Sequence, residues 1–204
     1  SELGDEPSAL TPDMNLAELT LAVHRRDLAA VEAAFDGADP SLRSVALSGL
    51  HKLVVLGPRH IALALTDTDR SVRHRLAEIG AIDDRVDLLT LLDDEDFAVA
   101  ETAAWAIGER KSVSELELQA LISYSAGHPH ALVRESCVAA LGSIGDQRGL
   151  PAILHAYNDK PAVRRRAVLS LAPFAGPEVE SVLRTALEDR DWQVRQTAED
   201  LLAD

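Results

Sequence analysis

Apolar residues along this chain return at helical intervals. From Val133 they recur at Cys137, Ala140, Leu141 and Ile144, a stripe at i, i+4, i+7, i+8 and i+11 that turns one face of a helix towards a core. The stripe belongs to a short phrase that occurs six times: an acidic or Pro-containing turn, an apolar residue, Arg, two variable positions, then small and apolar residues. Its copies are DPSLRSVALSGL, DTDRSVRHRLAEIG, DEDFAVAETAAWAIG, HPHALVRESCVAALGSIGD, NDKPAVRRRAVLSLA and DRDWQVRQTAEDLL. The marked position is Arg43, Arg73, Ala100, Arg134, Arg164 and Arg195 in turn, with successive separations of 30, 27, 34, 30 and 31 residues. That period is too long for a heptad coiled coil and matches stacked supersecondary units.

Start signals agree with the stripe. Asp39-Pro40 and His128-Pro129 place proline where a first helical turn tolerates it, and Asp69, Asp159 and Asp191 offer oxygens to unpaired amides. A second apolar segment follows most copies: HIALAL, RVDLLTLL, ELELQALISY, GLPAILHAY and EVESVLRTAL. Each copy therefore reads as two antiparallel helices, its first helix carrying small inner residues such as Ala46, Ala103, Ala104, Ala140, Ala167 and Ala198. Residues 16–25 and 28–35 precede the first copy, for about thirteen helices in all. We expect residues 1–13 to be a disordered acidic segment and residues 14–204 to be one repeat domain, with capping helices over 14–37 and repeats over 38–204.

The phrase V-R-x-x-A/C-x-x-A-L-G-x-I-G-D, here Val133 to Asp146, resembles the HEAT-like repeat first associated with phycobilin lyases, over about residues 38–204. The resemblance implies an all-α superhelix of about six helical hairpins, in which the repeated arginines Arg43, Arg73, Arg134, Arg164 and Arg195 tie each turn to a neighbour's acid. It implies little about activity, because such families include scaffolds, chromophore lyases and a group of DNA alkylpurine glycosylases. The third copy departs from the pattern by putting Ala100 where the others have arginine.

Charge and composition then narrow the function. A net charge of -14 repels phosphate backbones and anionic lipid surfaces. The lone cysteine, Cys137, leaves no intramolecular disulfide and fits a reducing cytoplasm. The N-terminal SELGDEPSALTPD lacks the basic and apolar runs of a signal peptide, and no apolar run reaches membrane-spanning length.

Candidate chemistry is sparse. The histidines His24, His51, His60, His74, His128, His130 and His155 lack metal-ligand spacing, and the DDED run at Asp93 to Asp96 lacks the glycine and distal glutamate of a calcium loop. Trp105 and Trp192 are expected to pack at a core or an edge. Cys137 takes a small-residue position, and Arg164-Arg165-Arg166 reads as a partly structural basic cluster.

These readings point to a non-catalytic adaptor without metal or cofactor. It would bind a protein or peptide through an inner face built from the second helices, where periodicity leaves Arg85, Asp87, Glu117, Gln119, Arg148, His155, Glu180 and Arg184 outward. A DNA-glycosylase-like enzyme or a tetrapyrrole-binding, lyase-like protein is the alternative that the resemblance offers. A monomer is expected, although the last helix, opening a sixth repeat with no second helix to cover Leu201 and Leu202, could receive another copy of the chain.

Overall fold

The computed structural model describes residues 14–203, so the expected N-terminal disorder lies outside the described residues. Thirteen α-helices and no strand occur among them. Contacts gather the chain into two compact units, one ending at Ala64 and the other beginning at Leu65.

The first unit holds α1 (Leu16–Arg25), α2 (Leu28–Phe35), α3 (Pro40–Lys52) and most of α4 (Pro58–Leu65). Asn15 and Glu18 close a capping box at the start of α1, and Asp27 and Asp39 cap α2 and α3. Helices α1 and α2 both pack on α3. They come close because Gly49 faces Val23 and Val31: a Cβ there would stand 2.6 Å from a Val23 methyl. His60 is buried against the Phe35 ring and shares a 3.0 Å hydrogen bond with Glu32.

The second unit runs through α5 (Arg70–Gly80), α6 (Leu88–Leu92), α7 (Phe97–Glu109), α8 (Glu115–Gly127), α9 (Ala131–Ile144), α10 (Leu150–Ala156), α11 (Pro161–Leu169), α12 (Pro177–Ala186) and α13 (Trp192–Ala203). Its core is a continuous row of leucine and isoleucine, including Leu76, Leu92, Ile107, Leu121, Leu141 and Ile153, all essentially without solvent contact. By the usual yield of about 25 cal/mol per Å², burying one such side chain contributes roughly 2 kcal/mol. No helix among the described residues is long and apolar enough to cross a membrane.

Two readings of the repeat need correction. Among consecutive helices of the second unit, α6 with α7, α8 with α9, and α12 with α13 pair most extensively, so these hairpins close across the acidic turn that opens a sequence copy. The pairing frame is shifted by one helix because the turns are short: only residues 93–96 separate α6 from α7, and 128–130 separate α8 from α9. A short turn forces its flanking helices together, whereas the longer links after α5 and α11, residues 81–87 and 170–176, do not. It follows that α13 does not open an uncovered repeat; it completes a hairpin with α12, leaving Leu201 partly covered and Leu202 exposed.

Helices α5, α7, α9, α11 and α13 form one layer and α6, α8, α10 and α12 the other. Glycine sets the spacing of the first layer. A Cβ on Gly108 would lie 2.8 Å from the Ala140 Cα, and one on Gly142 would lie 2.9 Å from the Ser170 Cα, so α7, α9 and α11 approach backbone to backbone. Hydroxyls use the short distance: Ser136 donates to the Glu101 carbonyl at 2.8 Å and Ser143 to the Gly108 carbonyl at 3.0 Å. The other layer, with the short helices α6 and α10, packs less on itself.

Candidate partner-binding groove

Arginines fasten the turn edge of the second unit. Arg134 donates from Nε and Nη2 to both oxygens of Asp159, at 2.7 and 2.8 Å, while Nη1 reaches back to the carbonyls of His128 and Pro129. Arg73 does the same with Asp94 and the carbonyls of Asp67 and Thr68. Arg164 repeats it with Asp189 and the Asp159 carbonyl, and Arg195 donates to the Asp189 carbonyl. In the first unit Arg43 donates to the carbonyls of Gly37 and Ala38. Each fork thus holds its own turn, and Arg73, Arg134 and Arg164 hold the carboxylate of the next as well. The Arg134 hydrogen bond holds the Asp159 carboxyl below the usual carboxylate range, and burial opposes it only in part.

One rung is missing, and both of its partners have changed. Where the other copies put arginine the third has the buried Ala100, and where the next turn would offer aspartate it has His128. Phe97 and His130 stack in its place, with ring centroids 3.9 Å apart and planes 2° from parallel. Tyr124 donates to Asp93 at 2.6 Å, which with burial pushes the phenol up to about 12. Burial lowers the pKa of His128; the hydrogen bond from the His130 amide opposes this in part, and the charges of His130 and Arg134 add to it.

An open groove of about 690 Å³ crosses α5, α7, α9 and α11 on the closely packed layer. Its floor is made of small residues, Ala98, Thr102, Ser136 and Ala139, and Leu132 and Trp105 rise from it. Trp105 is 46% exposed, so of the core or edge placements expected for it the core one is excluded; Trp192 is more exposed still. On the same stripe of α7 as Trp105, one turn before and one turn after, stand Glu101 and Glu109, neither with a basic partner among the described residues. Glu78 pairs with Arg75, and Glu135 lies 3.5 Å from Arg166. Four carboxylates and one guanidinium therefore line the groove.

The residues expected from periodicity do not line it. Asp87 caps α6, and with Glu117 it borders a second cleft of about 440 Å³ between α6 and α8. Glu117 is not outward at all: it is 6% exposed and takes a 2.5 Å hydrogen bond from Arg110. Arg110, itself buried, also donates to the carbonyls of Gly80 and Val86, so the pair pins α8 to the turn after α5. Arg85 folds onto Asp83, Arg148 joins Asp146 to Glu115, and Gln119 donates to that same Glu115. His155 is exposed on α10, while Glu180 and Arg184 form an exposed pair along α12.

Arg110 escaped the sequence reading because it lies between helices, where the stripe offers no guide. The Glu101, Trp105, Glu109 row was legible in principle, since the interval of four that marks the buried face also marks the opposite one. Cys137 is fully buried, and burial pushes its thiol up to about 12. Among the described residues no group of three His, Cys, Asp or Glu side chains is arranged to hold a metal ion.

A model of HEAT repeats matches residues 85–162, the stretch that contains the α6/α7 and α8/α9 hairpins. The chain carries HEAT repeats there. The layered HEAT architecture extends through α13, and solved structures share the fold. An engineered protein is 20% identical, covers 95% of this chain and 94% of its own, and superposes with a TM-score of 0.56. The complex of CpcE and CpcF of phycocyanin lyase from Nostoc sp. PCC7120 is 21% identical, with 99% of this chain and 81% of that one covered and a TM-score of 0.52. No curated protein matches the sequence at a significant level.

Proposed function

We propose that this HEAT-repeat chain is a non-catalytic module that holds a protein or peptide partner in the groove across α5, α7, α9 and α11. The observation that carries the reading is Trp105, a large amphipathic side chain held open to solvent on a floor of small residues. Half-exposed tryptophans in grooves are the side chains that dominate binding energy at interfaces. Four rigid helices about 8–10 Å apart also span roughly 27 Å, the length of about eight extended residues. Most of the second-helix residues anticipated from the sequence are engaged in local hydrogen bonds or ion pairs, and Glu117 is buried, which favours the opposite layer.

The groove does hold a row of Thr102, His74 and Glu78, but the Thr102 hydroxyl donates to the Ala98 carbonyl and so accepts from His74, and Cys137 is buried with its thiol pushed up to about 12, which does not suit nucleophilic chemistry. A photo-crosslinking residue at Leu132, with a control at Gln119, tests the reading in cells. Adducts from Leu132 that disappear on Trp105→Ala are expected. Adducts from Gln119 alone would move the partner to the other layer and end the groove assignment.

A further inference from the structure

Provided the groove is the partner site, as proposed above, we infer that its occupant is a basic peptide segment that lays an Arg or Lys side chain over the Trp105 indole, between the carboxylates of Glu101 and Glu109. The geometry on α7 is specific. Positions 101, 105 and 109 follow one another at single-turn spacing, so the Trp105 Cβ is bracketed along the helix axis by those of two glutamates about 6 Å away in either direction, and all three side chains line the groove. Indole faces attract cations, and Trp is the strongest of the aromatic side chains in this respect. An organic cation seated there meets the ring and at least one carboxylate together.

Pairing elsewhere sharpens the argument. The aspartates that face the repeat arginines are occupied: Asp94 by Arg73, Asp159 by Arg134 and Asp189 by Arg164, with Asp191 held by Arg165. Glu101 and Glu109 have no basic partner among the described residues, although Arg166 lines the same groove and is taken up by Glu135. The excess negative charge is thus concentrated at the α5 and α7 end, beside Trp105, and falls off towards Arg165 and Arg166 on α11. A field of that sign recruits cations and rejects acidic segments and phosphate backbones. It also rejects a second copy of this chain, whose net charge is -14.

Trp192→Phe leaves Trp105 as the single indole, whose N–H resonance can be followed by NMR during titration with three peptides of about eight residues, alternating Ala with Arg, Gln or Glu. The Arg peptide is expected to move the Trp105 signal saturably. Its affinity should fall about tenfold or more in Glu101→Gln/Glu109→Gln, and several-fold between low and moderate salt in the unsubstituted protein, a reading that needs no variant to fold. Equal binding of the Gln or Glu peptide would overturn the basic class while leaving the groove as a peptide site. A silent Trp105 with all three peptides would overturn this inference too, whereas the groove reading itself fails only if the Leu132 crosslinks are also absent.

Discussion

Arg134 shows how much one side chain can hold in this fold. Its guanidinium satisfies two carbonyls of its own turn and both oxygens of Asp159, with little exposure on either side of the pair. Arg134→Ala leaves that carboxylate and those carbonyls short of donors, at a cost of about 2–4 kcal/mol. A fall of roughly 5–10 °C in melting temperature is expected in a calorimetric scan. The pH dependence follows from Asp159, whose folded pKa lies below its unfolded value of about 3.9. The stability it contributes is complete above the unfolded pKa and is lost as pH falls through the folded one. His128 acts earlier in the same direction, because its pKa is lowered on folding: the unfolded chain takes up the proton first, and stability declines as pH drops below about 6.5. Denaturant titrations between pH 7 and pH 3 should therefore show two steps, the upper one absent in His128→Gln. Glu117 offers a further contrast. Glu117→Ala strands the buried Arg110 cation and should destabilise by about 3–5 kcal/mol in urea unfolding, with the Trp105 face unchanged.

At the scale of helices, the step between α7 and α9 differs from its neighbours. It lacks the arginine rung, and it is also where Gly108 meets Ala140, where Phe97 stacks on His130 and where two serines donate across to α7 carbonyls. Apolar contact and short hydrogen bonds replace an ion pair. A double-mutant cycle checks the equivalence of the two positions. Ala100→Arg alone places a cation beside His128 and Arg134 and should destabilise. Adding His128→Asp should recover part of that loss, with a coupling of about 1–3 kcal/mol measured by chemical unfolding. The helices themselves were legible in the sequence because a period of 3.6 and capping residues act locally. Their pairing frame was not, since both the helix before each acidic turn and the helix after it lie close in sequence. Turn length decides between them, and the stripe carries no information about turn length.

For the molecule as a whole, the repeat pattern and the sign of the charge were readable from residues alone. Which layer carries the groove was not. That depends on Gly108 against Ala140 and Gly142 against Ser170, contacts between residues about thirty apart whose closeness only the folded backbone reveals. Trp105 went astray for the same reason: a bulky apolar residue in a run of alanine reads as core until the floor beside it proves too shallow to cover an indole. The uneven mixture of forces along the second unit has a consequence for extremes of environment. Chilling weakens apolar cohesion. The α7–α9 seam, which leans on such cohesion where its neighbours have an arginine fork, should therefore be the first to slacken near freezing.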